Sequence, residues 1–259
     1  GNDNGQNILY GNTKINAEGI INIGDNGTGI YADSGSNVYL GSNARLNLGA
    51  VNAAGVYALD GSIVDNYTSN IIYPSDSYAF VLNSGAVLNN YAANTMLDNG
   101  KVYAYSDNAV INNTGKITLG SNGVGIYAEN TTVTAVNTGA IESSKYGAIG
   151  VFADNGTVQN LGTITLSGDN SIGMAGRTNA TIINDGQITI NGNDGIGMYV
   201  TNNSHVYNNG VITINGDNGT GIQIGANSAL ENEGTINLNG SNGESVLYGE
   251  STKYSNRNY

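Results

Sequence analysis

One phrase, Asn-x-Gly-x-Ile-x-(Ile/Leu), returns down this chain at a nearly fixed interval, and that interval constrains the fold more than any other feature. It stands at Asn113-Thr-Gly115-Lys-Ile117-Thr-Leu119 and returns around Gly139, Gly162, Gly186, Gly210 and Gly234, at glycine intervals of 24, 23, 24, 24 and 24. A polar turn follows each copy, such as Gly-Asp-Asn-Gly at 24–27 and 216–219 or Gly-Ser-Asn-Gly at 120–123 and 240–243. Then comes a second apolar phrase, Gly-Ile-Tyr-Ala at 29–32 and 125–128. Its third position reads Tyr31, Tyr57, Phe80, Tyr103, Tyr127, Phe152, Ala175, Tyr199, Gln223 and Leu247, and the 216 residues from first to last make nine steps of 24.0. A third apolar stretch, centred on Val38, Ile63, Val87, Val110, Val158, Ile182, Val206 and Leu230, completes the unit. From Asn66 onward it closes on an asparagine: 66, 90, 113, 137, 160, 184, 208 and 232.

Each unit thus holds three short period-two segments bounded by Gly, Asn, Asp and Ser, the pattern of strands between breakers. No unit has room for the ten or more residues of helical periodicity that a leucine-rich or α-solenoid repeat needs. Three strands and three turns in 24 residues describe one coil of a single-stranded parallel β-helix, an all-β solenoid of about ten coils. Coils pairing at about 4.8 Å would form a rod on the order of 50 Å long.

Alternation assigns the faces. Ile21/Ile23, Leu46/Leu48, Ile117/Leu119, Ile164/Leu166, Ile188/Ile190, Ile212/Ile214 and Ile236/Leu238 form two inward columns of the first strand. Ile30, Val56, Ala79, Val102, Ile126, Val151, Met174, Met198, Ile222 and Val246 form one in the second, so the aromatic column beside it points outward. The recurrent asparagines are expected to stack as an amide ladder, and the glycine two residues later to supply a positive φ at the corner.

This code accounts for the composition. Glycine (39) and asparagine (44) fill 83 of 259 positions, which excludes a mainly helical fold, yet 39% of the chain is apolar and only 11% charged, so a core can form. One proline and no Gly-X-Y period exclude collagen. Net charge −12 without a basic cluster argues against nucleic acid or an anionic membrane as partner, and the absence of cysteine removes disulfides, thiolate zinc and a Cys nucleophile. No stretch reaches a membrane span, and Gly1–Gly5 lacks a signal segment, so a mature piece or an excised fragment is expected. The domain is expected to cover 1–250, with degenerate coils at 62–100 around Pro74, a turn or bulge, and a loose tail or cut end at 251–259. The degenerate segment reads either as a distinctive surface patch or as drift in a tolerant corner.

The candidate binding residues are Tyr31, Tyr57, Phe80, Tyr103, Tyr127 and Phe152, an outward stripe suited to sugar rings or a partner protein. The same stripe would equally serve to stabilise neighbouring rungs. Glu129 and Asp154 share one outward position in adjacent coils, with Arg177 next. Their spacing approaches that of a retaining glycosidase pair, but a uronate substrate would need more cations, so the trio reads as a solvated face with a weak ion pair. The turns lack the calcium β-roll pattern, so their Asp and Asn are expected to make local side-chain-to-backbone bonds, and a lone outward His205 supports neither a triad nor zinc. No catalytic residue, metal or cofactor is expected.

The repeat of Asn-x-Gly-x-Ile-x-(Ile/Leu) followed by Gly-x-Gly-(Ile/Val)-(Tyr/Met)-Ala, over about residues 17–248, resembles the passenger region of large adhesin-type autotransporters of Gram-negative bacteria. The resemblance implies a right-handed β-helix exported to the cell surface and attached there only through a C-terminal translocator barrel outside this chain. It also implies surfaces that bind a host or bacterial protein or glycan. Two alternatives stand beside this non-enzymatic adhesin or spacer: a polysaccharide-acting β-helix enzyme, and a passenger that associates with itself.

Overall fold

The computed structural model describes residues 7–9, 12–49, 51–72, 76–95, 102–131, 134–249 and 253–256. They form a parallel β-solenoid in which each coil passes in turn through three sheets, here A, B and C. Sheet A has eleven strands, from Asn7–Leu9 to Glu244–Tyr248, and sheet B eleven, from Lys14–Ala17 to Lys253–Asn256. Sheet C is divided: three strands from Ile20–Asn22 to Ile71–Ile72, then seven from Ala93–Thr95 to Thr235–Leu238. Every described pairing is parallel and joins one coil to the next, as at Ile188↔Ile212 and Val206↔Leu230. Within the expected tail, Lys253–Asn256 continue sheet B, with Asn256 opposite Asn232. Pro74 lies outside the described residues.

The inward columns of sheet C are buried as alternation requires, Ile117, Ile164, Ile188 and Ile212 among them. The closing asparagines form a buried ladder in which each Nδ2 donates to the Oδ1 one coil on: Asn66 to Asn90 (2.8 Å), Asn90 to Asn113 (2.7 Å), Asn113 to Asn137 (2.7 Å), and so on to Asn208 to Asn232 (2.7 Å). Each amide thereby acts as donor and acceptor, which is what lets a polar column sit inside an apolar rod.

Two expectations about the turns are corrected. The glycine two residues after the ladder asparagines from Asn113 to Asn232 does not have a positive φ; among the described residues the positive-φ glycines are Gly35, Gly61, Gly85 and Gly147. Its role is close approach: a Cβ at Gly139, Gly162, Gly186 or Gly210 would overlap the carbonyl oxygen of the glycine, or its equivalent, one coil earlier. The left-handed turn positions are filled mostly by asparagine, including Asn26, Asn52, Asn122, Asn155, Asn170 and Asn218 at φ between 49° and 56°, since Asn tolerates that region better than other non-Gly residues. The polar turns also do not merely bond locally. Asp169 Oδ1 accepts from Asn193 N–H (2.8 Å), Asn193 Oδ1 from Asp217 N–H (2.9 Å) and Asp217 Oδ1 from Ser241 N–H (2.8 Å), so they tie each coil to the next.

Sheet A differs from expectation over two coils. Its inward column runs Ile30, Val56, Phe80, Ala104, Ile126 and Val151, not through Ala79 and Val102. Phe80 is 0% exposed and Tyr103 1%, so both belong to the core. Tyr103 sits one residue before the inward Ala104, where other coils have Gly55, Gly125 or Gly150, positions at which a Cβ would come within 2.5–2.6 Å of the next coil's carbonyl oxygen. Its ring meets Phe80 edge-on at 5.5 Å between centroids. Room comes from the neighbours: the small Ala104 follows Phe80, and Asn94 replaces isoleucine opposite Ile117. The larger rings and smaller neighbours offset in volume, as core packing requires.

Candidate functional site

The strongest surface feature is the outward flank of sheet A. Strand pairing aligns Tyr31, Tyr57, Val81, Tyr105, Tyr127 and Phe152 in one column. Of the expected stripe, Tyr31, Tyr57, Tyr127 and Phe152 are there; Phe80 and Tyr103 are corrected to the core. Val81 and Tyr105 take their places. The signal for Tyr105 lies in the sequence: Tyr105-Ser-Asp107, Tyr127-Ala-Glu129 and Phe152-Ala-Asp154 share an aromatic-x-acid spacing that Tyr103 breaks.

The rings stack on one another along the rod. Tyr31 and Tyr57 are nearly parallel (5.6 Å, 12°), whereas Tyr105–Tyr127 (5.3 Å, 41°) and Tyr127–Phe152 (4.8 Å, 39°) are splayed. In each case neighbouring rings remain in contact range, so the column is continuous from Tyr105 to Phe152. Beside the rings runs a second outward column, Asp107, Glu129, Asp154 and Arg177 in four successive coils. The expected adjacency of Glu129, Asp154 and Arg177 is therefore present, and Asp107 extends it.

These columns are cross-linked. Tyr105 donates its hydroxyl to Glu129 Oε2 (2.5 Å), Arg177 Nε donates to Asp154 Oδ2 (2.8 Å), and the Arg177 guanidinium lies 5.3 Å from the Phe152 ring centroid. Asn130 Nδ2 donates to Asp107 (3.2 Å). Partial burial, reinforced by the Glu129 carboxylate, raises the Tyr105 phenol above its ordinary pKa; Tyr127 is raised by burial and by Glu129 and Asp154. The hydrogen bond to Asp154 holds Arg177 more firmly protonated still.

A second aromatic group lies at the corner between sheets B and C and was not expected from the repeat. Tyr39, Tyr67 and Tyr91, at 40–46% exposure, stack at 5.2 and 4.7 Å. Tyr67 and Tyr91 each follow a ladder asparagine directly, the signal that would have aligned them, and they lie within the degenerate coils. His205 faces outward and stacks on Tyr207 at 5.5 Å. No group of three or more His, Cys, Asp or Glu able to hold a metal is found among the described residues. The depressions in the described surface are open and shallow, one floored by Gly162, Gly186 and Gly210.

The fold and this flank define the class: an all-β parallel solenoid with an aromatic and acidic stripe on one sheet. Residues 138–254 match the model of a family described as the BigA third pectate lyase-like domain. The match takes in Asp154 and Arg177 but not Tyr105 or Glu129. No curated protein and no solved structure matches the chain.

Proposed function

We propose that this chain is a non-enzymatic segment of a cell-surface adhesin, a passenger-type rod that presents the outward flank of sheet A to a host or bacterial surface protein or glycan. The observation that carries the reading is the unbroken register of sheet A through eleven strands. A chain built to process a polymer gains from long loops that wall a cleft around its reacting groups. In this chain each coil instead adds one strand to the same parallel sheet A. Attachment to an outer membrane would come through a translocator barrel that is not in these residues.

The test is adherence of the purified chain to host and bacterial cells, compared with the triple variant Tyr57→Ala, Tyr105→Ala, Tyr127→Ala. Loss of adherence with retained circular dichroism supports the flank; undiminished adherence overturns it.

A polysaccharide-acting enzyme is the second reading, favoured by the pectate lyase-like match and by Glu129 and Asp154 on neighbouring rungs, about 5 Å apart by strand spacing. It predicts release of oligosaccharide from polygalacturonate or a neutral glycan that Glu129→Gln abolishes. Self-association, the third possibility, would show as concentration-dependent sedimentation.

A further inference from the structure

We propose that the stripe of sheet A from Asp107 to Phe152 is a docking surface for an arginine-bearing segment of a partner protein. The proposal rests on sheet A being the binding flank and names the chemistry of what it binds.

The chain itself contains the template. Arg177 reaches back one coil, places Nε on Asp154 at 2.8 Å and lays its guanidinium against Phe152 at 5.3 Å. A carboxylate two residues after an outward aromatic ring is thus already a guanidinium site here. The same pair occurs in the two preceding coils, as Tyr127 with Glu129 and Tyr105 with Asp107, and there the next coil supplies another acid in place of an arginine. Among the described residues neither Glu129 nor Asp107 has an ion-pair partner, whereas Glu142 has Lys116 and Asp154 has Arg177. Each carboxylate has about four acceptor sites, and the Tyr105 and Asn130 donors leave capacity on both.

Charge and geometry select the occupant. Three carboxylates on successive rungs, about 4.8 Å apart, repel one another and one arginine neutralises a single member. A cation from outside relieves the rest, and the −12 net charge steers it inward. An acidic glycan is repelled by the same column. Arginine fits better than lysine because its planar group can bond a carboxylate while lying against a ring, as Arg177 does with Asp154 and Phe152. Beside the Tyr31–Tyr57 stack a single acid, Asp33, is followed by Leu59 in the next coil, so no acid column forms there.

The test uses fluorescence anisotropy with a labelled Gly-Arg-Gly-Arg-Gly peptide and its lysine and citrulline counterparts, citrulline being a neutral near-isostere of arginine. The arginine peptide is expected to bind about tenfold tighter than citrulline and several-fold tighter than lysine, and to weaken as salt rises. Asp107→Asn with Glu129→Gln should lower its affinity about tenfold, and Tyr127→Leu should erase the preference over lysine. Asp169→Asn with Asp217→Asn removes equal charge from turns at the other edge of sheet A and should change little. Equal binding of the arginine and citrulline peptides overturns the proposal, as does an equal loss in both double variants. Peptide binding without cell adherence would sink the adhesin reading alone; adherence that depends on Tyr57, Tyr105 and Tyr127 without peptide selectivity would sink this one alone.

Discussion

The Tyr103 hydroxyl donates to Asn94 Oδ1 at 2.6 Å inside the core, joining two residues that each break the repeat. Asn94 stands where the next coil has Ile117, and Tyr103 where other coils have Gly55, Ala79, Gly125 or Gly150. Asn94 Nδ2 in turn donates to the Thr68 carbonyl at 2.9 Å, and Asn66 Nδ2 to Asn94 Oδ1 at 3.0 Å. These side chains span the place where sheet C is divided, so polar side-chain bonds stand in for strand pairing between the two parts. The irregular segment is a compensated insert, each exception satisfying another.

Tyr103→Phe should therefore lower stability by about 1–2 kcal/mol in urea unfolding, since it removes a buried donor while Asn94 stays in place. Asn94→Ile alone should cost more, because it strands the Tyr103 hydroxyl and crowds its ring. If the two changes prove additive in a double-mutant cycle, the pairing described above is not an energetic unit.

Asn160→Leu should cost about 2–4 kcal/mol. It removes the acceptor of Asn137 and the donor to Asn184, leaving the buried Asn184 Oδ1 without its ladder partner. Asn215→Ala breaks an outwardly similar pair of amide bonds, Asn239 to Asn215 and Asn215 to Asn191, but these are exposed. Water replaces them, and the change should stay within about 0.5 kcal/mol. Equal losses at the two sites would mean that burial is not what gives the ladder its weight.

Most of this fold was legible because the repeat fixes parity: once Ile188 and Ile212 face inward, every strand in register with them is assigned. The amide ladder followed from position alone. What escaped was a shift of register, by one residue at Phe80, where Val81 takes the outward column, and by two at Tyr103, where Tyr105 does. Tyr103-Ala-Tyr105 offers two aromatic residues of the same parity, and Ala79-Phe80 offers two inward candidates side by side. A one-residue slip, as at Phe80, reverses a strand's faces, whereas the two-residue shift at Tyr103 keeps parity, and only the volume of neighbours such as Ala104 and the polarity of Asn94 decide either. Those are contacts between coils that are distant in the chain, invisible to spacing. The Tyr39–Tyr67–Tyr91 stack escaped for a related reason, since Tyr39 comes from within a strand and the other two from the corner after it.

The division of labour between glycine and asparagine gives opposite expectations for similar-looking corners. Gly186→Ala puts a Cβ onto the Gly162 carbonyl and should cost more than about 2 kcal/mol, because backbone on both sides must shift. Asn218 at φ 56° is different. Asn218→Gly should be near neutral, and Asn218→Ala should cost about 1 kcal/mol. Thermal unfolding of the three variants separates close approach from backbone conformation.

Alkaline titration tests the electrostatics of the flank. Burial raises Tyr103, and burial with neighbouring carboxylates raises Tyr105 and Tyr127. In the folded chain these phenols hold their protons at pH values where the unfolded chain has begun to lose them. Their contribution to stability is thus complete below the ordinary tyrosine range near pH 10 and declines as pH rises through the higher folded values, because the unfolded state ionises first. Tyrosinate absorbance should accordingly rise in two stages, with part of the seventeen tyrosines appearing late. Tyr105→Phe should remove one phenol from the late stage. Glu129→Gln should move Tyr105 only part of the way back, since it deletes the carboxylate but leaves the larger cause, burial, in place. A single early stage, or a late stage unaltered by Tyr105→Phe, would show that the contact with Glu129 does not persist in solution.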